Sequence, residues 1–147
     1  MPQLPRRMRA STPYLLLQAT KVAARTARPL FEGEPLRFPH YVTLAWLAES
    51  DASSQRALAA AMGADPSDLV TVLDQLAEAG LVERTVDPAD RRRRPLTITP
   101  AGHRWLTERD ALAADYERHL GARLADGGAA LRANLLALVE DPAEGPA

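Results

Sequence analysis

Residues 87–102 read DPADRRRRPLTITPAG, and no other stretch restricts the fold as much. The run before it, residues 81–86 (LVERTV), is rich in β-branched side chains. The run behind its arginines, residues 96–99 (LTIT), alternates apolar and hydroxyl side chains. Between them Asp87-Pro88 and Asp90 favour a turn, followed by Arg91, Arg92, Arg93 and Arg94 in succession. The pattern predicts two short strands joined by a long, basic tip. Guanidinium forks grip phosphates and fit a narrow minor groove, so such a ribbon suits a nucleic-acid backbone.

Whether a scaffold for it exists depends on the remaining chain. A length of 147 residues fits one domain, or one domain with an added oligomerisation element. With 46% hydrophobic and 25% charged residues the chain can bury a core and is globular. The absence of cysteine excludes disulfides, thiolate metal sites and a cysteine redox sensor. No apolar run approaches the roughly 20 residues of a membrane span, and no signal-peptide pattern follows Arg6, Arg7 and Arg9, so a cytoplasmic location is expected. The net charge of −1 does not by itself point to nucleic acid. Four of the 18 basic residues nevertheless stand side by side, with Arg84 and Arg104 near in sequence, which points to local binding.

Taken in order, residues 1–11 carry two prolines and no periodicity and are expected to be a flexible basic arm. Thr12-Pro13 is a cap-and-first-turn signal for a helix over residues 14–28, ended by Pro29. Its stripe of Leu15, Leu16, Ala19, Val22 and Ala23 is broader than a lone surface helix needs, which suggests packing against another chain. Residues 31–39 form a loop, and Pro39 opens a helix to about Glu49. Ser53 or Ser54 caps a short helix, residues 55–62, which Gly63 stops. Asp65 caps the next, with Pro66 at its first position and Leu69, Val72, Leu73 and Leu76 on its buried face. Two helices across a turn containing Gly63 make a helix-turn-helix, and the hairpin after them makes it winged. Thr99-Pro100 starts a long helix to about Leu124; Asp126-Gly127-Gly128 breaks it, and residues 129–139 form a last amphipathic helix before a disordered tail.

The expected architecture is therefore mainly α. Residues 1–11 are an arm, 12–38 a first dimerisation helix and loop, and 39–100 a winged helix-turn-helix of three helices plus a β-hairpin wing. Residues 101–140 are C-terminal dimerisation helices and 141–147 a tail. The first helix and the last two keep apolar faces that the small core cannot cover. A twofold homodimer would cover them and would read two half-sites.

At this point the chain resembles the MarR family of winged-helix transcriptional regulators. The resemblance rests on Gly80-Leu81-Val82-Glu83-Arg84, Asp87-Pro88-Ala89-Asp90-Arg91-Arg92 and Leu96-Thr97-Ile98-Thr99-Pro100-Ala101-Gly102, in order and without gaps. It implies that Arg92 enters the minor groove, that Asp90 braces the hairpin, and that Arg91, Arg93 and Arg94 make flanking phosphate contacts. It also implies a small, often aromatic effector held between the dimerisation helices and the winged-helix body. By position Tyr14, Gln18, His40, Tyr41, Leu44 and Trp46 would line that cleft, with ordinary core packing as the competing reading of Leu44 and Trp46, and a capping or surface role as that of His40.

The recognition helix departs from the family pattern. Its exposed positions are expected to be Ser67, Asp68, Thr71 and Gln75, and it holds Asp65, Asp68, Asp74 and Glu78 without a lysine or arginine. Asp68 either accepts from a cytosine amino group or repels phosphates. No nucleotide fingerprint, phosphate loop or G-x-S-x-G motif occurs, and His119 with Asp115 is only an isolated pair. The expectation is a ligand-responsive, homodimeric DNA-binding regulator acting as a repressor, with no catalytic, metal or cofactor site. The alternative is a family member that has lost operator reading and binds or transforms a small molecule.

Overall fold

A computed structural model of the chain describes residues 4–50, 54–85 and 95–140, apart from the Leu30 side chain. The wing residues Asp90, Arg91, Arg92, Arg93 and Arg94 and the expected tail, residues 141–147, lie outside the described residues. In order come α1 (Arg6–Arg9), α2 (Thr12–Ala27), α3 (Phe38–Glu49), α4 (Gln55–Met62), α5 (Pro66–Glu78), β1 (Val82–Arg84), β2 (Leu96–Ile98), α6 (Pro100–Gly121) and α7 (Ala129–Glu140).

One local rule starts α2, α4, α5 and α6: a short polar side chain bonds the next free amides, and in all but α4 a proline occupies the first turn. Ser54 Oγ accepts from Ala57 N at 3.2 Å, Asp65 Oδ1 from Ser67 N at 2.8 Å, and Thr99 Oγ1 from Gly102 N at 3.0 Å. At α2 the cap is Ser11, whose Oγ lies 3.4 Å from Tyr14 N, one residue earlier than the expected Thr12. The arm is also more ordered than expected. Pro5 O accepts from Met8 N and Arg9 N, at 3.0 and 3.1 Å, and so builds the helical turn of α1.

Helices α4 and α5 end alike. Gly63 and Gly80 take left-handed backbone, at φ +61° and +70°, and the residue after each donates back: Ala64 N to Ala59 O and Leu81 N to Leu76 O, both 2.9 Å. This closes the last turn and reverses the chain. The first reversal sets α5 across α4. The second sends the chain into the hairpin, where Val82 pairs with Ile98, Glu83 with Thr97 and Arg84 with Leu96. Thr99 N donates to Leu81 O at 3.0 Å, and its hydroxyl donates to Gly80 O at 2.7 Å while capping α6. One side chain thus joins the end of α5, the hairpin root and the start of α6.

Leu44, Leu58, Leu73 and Leu76 are fully buried at the centre, with Leu36, Leu47, Leu69, Leu81, Leu96 and Leu106 around them. The core is the three-helix unit closed by the hairpin and the first turns of α6. Both the core and the mainly helical winged architecture follow the sequence expectation.

Candidate nucleic-acid interface and cleft

Helix α5 sits with Leu69, Leu73 and Leu76 inside, which leaves Ser67, Asp68, Val70, Thr71 and Gln75 outside. Its acids are less free than their number suggests. Asp65 is the cap and also accepts from Ser67 Oγ at 2.7 Å, and these two bonds lower its pKa from the ordinary carboxylate value. Asp74 pairs with Arg84 of β1 at 2.9 Å. As a half-exposed pair this contributes at most about 1 kcal/mol, but it moves the Asp74 charge onto the hairpin. Asp68 is left without an ion-pair partner among the described residues.

The four expected reading positions are all exposed, yet two are already engaged. Ser67 donates its hydroxyl to Asp65, and Gln75 Oε1 lies 2.7 Å from His40 Nε2. Of these four, Asp68 and Thr71 make no side-chain hydrogen bond or ion pair among the described residues.

A cleft of about 860 Å³ opens between the end of α2 and the start of α3. Ala24, Arg25 and Ala27 come from α2, Arg28, Pro29 and Phe31 from the 3-10 turn behind it, Glu32 and Gly33 from the linker, and Arg37, Phe38 and Pro39 from the entry to α3. Two phenylalanines, three arginines and one glutamate contribute to the wall, a composition that favours an apolar or aromatic body carrying negative charge. Arg37 also braces the linker, donating to Phe31 O and Leu36 O at 3.4 Å each and to Glu34 O.

None of Tyr14, Gln18, His40, Tyr41, Leu44 or Trp46 lines this cleft. Tyr14 and Gln18 lie two helical turns or more before Arg25, on the order of 10 Å along α2. His40 and Leu44 are buried, whereas Trp46 is 43% exposed. Residues 40, 43, 44 and 47 form the inward stripe of α3, and Trp46 falls off it. Tyr41 belongs instead to an aromatic group centred on Phe31, whose ring lies 6.4 Å from those of Phe38, Tyr41 and Trp105. Its phenol donates to Asp110 Oδ1 at 2.8 Å. Burial first, then Asp110, pushes its pKa up to about 12, which keeps it a neutral donor.

Behind this group lies a buried charge that sequence reasoning missed. Arg109 of α6 is 7% exposed, pairs with Glu34 of the linker, and stacks over the Trp105 ring at 4.7 Å. Trp105 Nε1 donates to the same carboxylate at 3.1 Å. Burial lowers the Arg109 pKa, and its Nε finds no partner among the described residues. Arg109 also pairs with the exposed Glu108 at 3.2 Å, so removing Glu34 leaves the buried guanidinium one carboxylate and costs less than the roughly 3–5 kcal/mol of a fully broken buried pair. Glu34 is itself a third exposed, so Glu34→Ala is expected to cost about 2–3 kcal/mol in urea unfolding, with a shift in tryptophan emission. A loss below about 0.5 kcal/mol would show that the pair does not hold the linker. The expected His119–Asp115 pair does not form through its carboxylate: His119 Nδ1 lies 2.7 Å from Asp115 O, and Arg118 takes the carboxylate.

Comparison with known proteins agrees with this arrangement. The MarR family model matches residues 36–93, which run from the end of the linker through the helix-turn-helix into the wing. A Thauera aromatica protein named as a transcriptional regulatory protein for the hcr operon is 38% identical over 100 residues, 68% of this chain and 58% of its own length. Over these stretches the chain is similar to MarR-family regulators. It therefore spans under two thirds of that relative. Among solved MarR-type structures, CouR from Rhodococcus jostii RHA1 bound to p-coumaroyl-CoA superposes with a TM-score of 0.75 at 27% identity, covering 94% of this chain and 97% of CouR. A structure of the repressor CouR on a 23-mer DNA duplex gives a TM-score of 0.78 at 23% identity, covering 95% and 100%. At that lower identity the likeness is one of fold. Among the described residues no helix is long and apolar enough to cross a membrane.

Proposed function

We propose that this chain is a MarR-family, homodimeric transcriptional regulator that binds double-stranded DNA and is released from it, as a cytoplasmic repressor, by a small organic anion. The observation that carries the reading is the presentation of α5. Its cap, its left-handed C-terminus and the hairpin root hold an exposed helix in front of a chain segment whose sequence carries Arg91, Arg92, Arg93 and Arg94, an arrangement that suits major-groove insertion. CouR, bound in one structure to p-coumaroyl-CoA and in another to duplex DNA, supports pairing the two ligands. The cleft supports an aromatic anion as effector, since Phe31 and Phe38 lie beside Arg25, Arg28 and Arg37.

The acidic helix, which motivated a reading without DNA, is accounted for in large part by the cap at Asp65 and the pair at Asp74. The cleft is no argument for catalysis, and the relatives are regulators.

The test is a fluorescence titration against the intergenic DNA upstream of its own gene, at low and moderate salt. Specific binding survives a large excess of random duplex and requires two half-sites about one helical turn apart. Binding erased by a few competing random sites would end the proposal. Within it, Arg92→Ala is expected to lower affinity by tenfold or more, about 1–3 kcal/mol, and to flatten the salt dependence. Unchanged affinity would remove Arg92 from the interface. Asp68→Ala separates its two roles: relaxed base preference if it accepts from cytosine, a uniform rise in affinity if it only repels.

A further inference from the structure

Gln75 is exposed on the recognition helix, where a free carboxamide would read bases. His40, at the third residue of α3, instead holds it. Arg37 N lies 2.9 Å from His40 Nδ1, and a backbone amide can only donate. Nδ1 therefore carries no proton, so in the neutral ring Nε2 carries it and donates to Gln75 Oε1 at 2.7 Å. A flipped carboxamide would need Nε2 to accept as well, and a neutral imidazole has one acceptor only. The orientation of Gln75 is thus fixed through the ring by a backbone amide at the cleft rim. The 3.3 Å approach of Nδ1 to Arg37 O is then a contact without a hydrogen bond.

The position of this chain of bonds gives it a consequence. Arg37, Phe38 and Pro39 line the cleft, and His40 follows directly. The ring is 6% exposed, so it cannot exchange either partner for water cheaply. Arg37 N sits at the cap of α3, where no helical carbonyl can serve it, so His40 is its acceptor.

We propose that His40 and Gln75 form a positioning link that fixes the recognition helix to the rim of the cleft, and that Gln75 is an anchor and not a base reader. Ligand and DNA then bias one shared element, and each changes the affinity for the other by the same factor. This rests on the DNA-binding reading above, but the bond itself does not, and the experiment separates them.

Gln75→Met keeps length and helix propensity at an exposed position and removes the carboxamide whose oxygen accepts from His40 Nε2, and circular dichroism checks that the full-length variant keeps its fold. In the free chain the Arg37 amide is expected to exchange with solvent about tenfold faster in Gln75→Met than in wild type, because the ring loses its second tether. Equal rates would overturn the link. On a pool of randomised duplexes the same variant is expected to lose affinity severalfold and uniformly across sequences. A changed preference at one base position would make Gln75 a reader and overturn the assignment. In wild type, saturating duplex is expected to slow exchange at the amides of Arg37, Phe38, His40 and Tyr41, and in Gln75→Met to leave it unchanged; equal slowing in both would overturn coupling through this path. A wild-type chain that binds no duplex sinks the regulator reading instead, and the link is then decided by the Arg37 amide alone.

Discussion

Gly102→Ala is expected to destabilise the chain by about 3 kcal/mol or more, lowering the midpoint of thermal unfolding by roughly 10 °C. A Cβ at Gly102 would lie 2.3 Å from Leu81 O and 2.7 Å from Ile98 Cγ1. Neither neighbour can retreat cheaply. Leu81 O already accepts from Thr99 N at 3.0 Å, and Ile98 pairs with Val82 in the register of the hairpin. The backbone of α6 must lift off the hairpin root, which breaks the bond of Gly102 N to Thr99 Oγ1 and loosens the wing at its base. Against a typical total of about 5–15 kcal/mol, that loss populates partly open chains. Differential scanning fluorimetry and urea titration read it directly. A variant within about 1 kcal/mol of wild type would mean that α6 can shift, and that the hairpin is not rigidly seated.

Gly102 also illustrates what the sequence could reveal. The Thr-Pro-Ala-Gly run is legible as a helix start because a hydroxyl cap and a first-turn proline are local devices. For the same reason α4, α5 and both strands fall where expected, within a residue or so. The close approach of α6 to Leu81 is not local and left no signal beyond the glycine itself. The residues placed by position at a cleft between the dimerisation helices and the body, Tyr14, Gln18, His40, Tyr41, Leu44 and Trp46, are not those that line the cleft of the single chain. Leu44 and Trp46 were both weighed as apolar members of α3, but only a helical count separates them. Residues 40, 43, 44 and 47 share the inward face; Thr43, being polar, gave no signal there, and His40 was read as a cleft, capping or surface residue. Carried through, that count puts His40 inside and Trp46 outside. The link to Gln75 spans 35 positions, and the Glu34–Arg109 pair 75; no periodicity reports either.

The second large effect concerns assembly. Leu131, Leu135, Leu136, Leu138 and Val139 of α7 are all exposed, Val139 by 73%, and no residue of α7 is buried. Leu15 and Leu17 of α2 and Leu112 of α6 are exposed as well. A bound monomeric surface rarely leaves so much aliphatic area in one set of terminal helices, and burying a leucine fully is worth about 1.5–3 kcal/mol. A second copy around a twofold axis would cover such faces on both protomers. The double substitution Leu135→Asp with Leu138→Asp is expected to give a monomer in sedimentation velocity. Helix α7 meets the body mainly through the Arg132–Glu117 pair at 2.6 Å and the turn before it, so the core and its circular dichroism should be kept. DNA affinity should fall by about 100-fold or more, because linking two half-site contacts multiplies affinity by about 10²–10⁴ and a monomer forfeits that factor. A dimer that persists in the double variant would place the interface elsewhere. A monomer that binds as tightly as wild type would mean that one winged helix suffices, and the two-half-site operator would go with it.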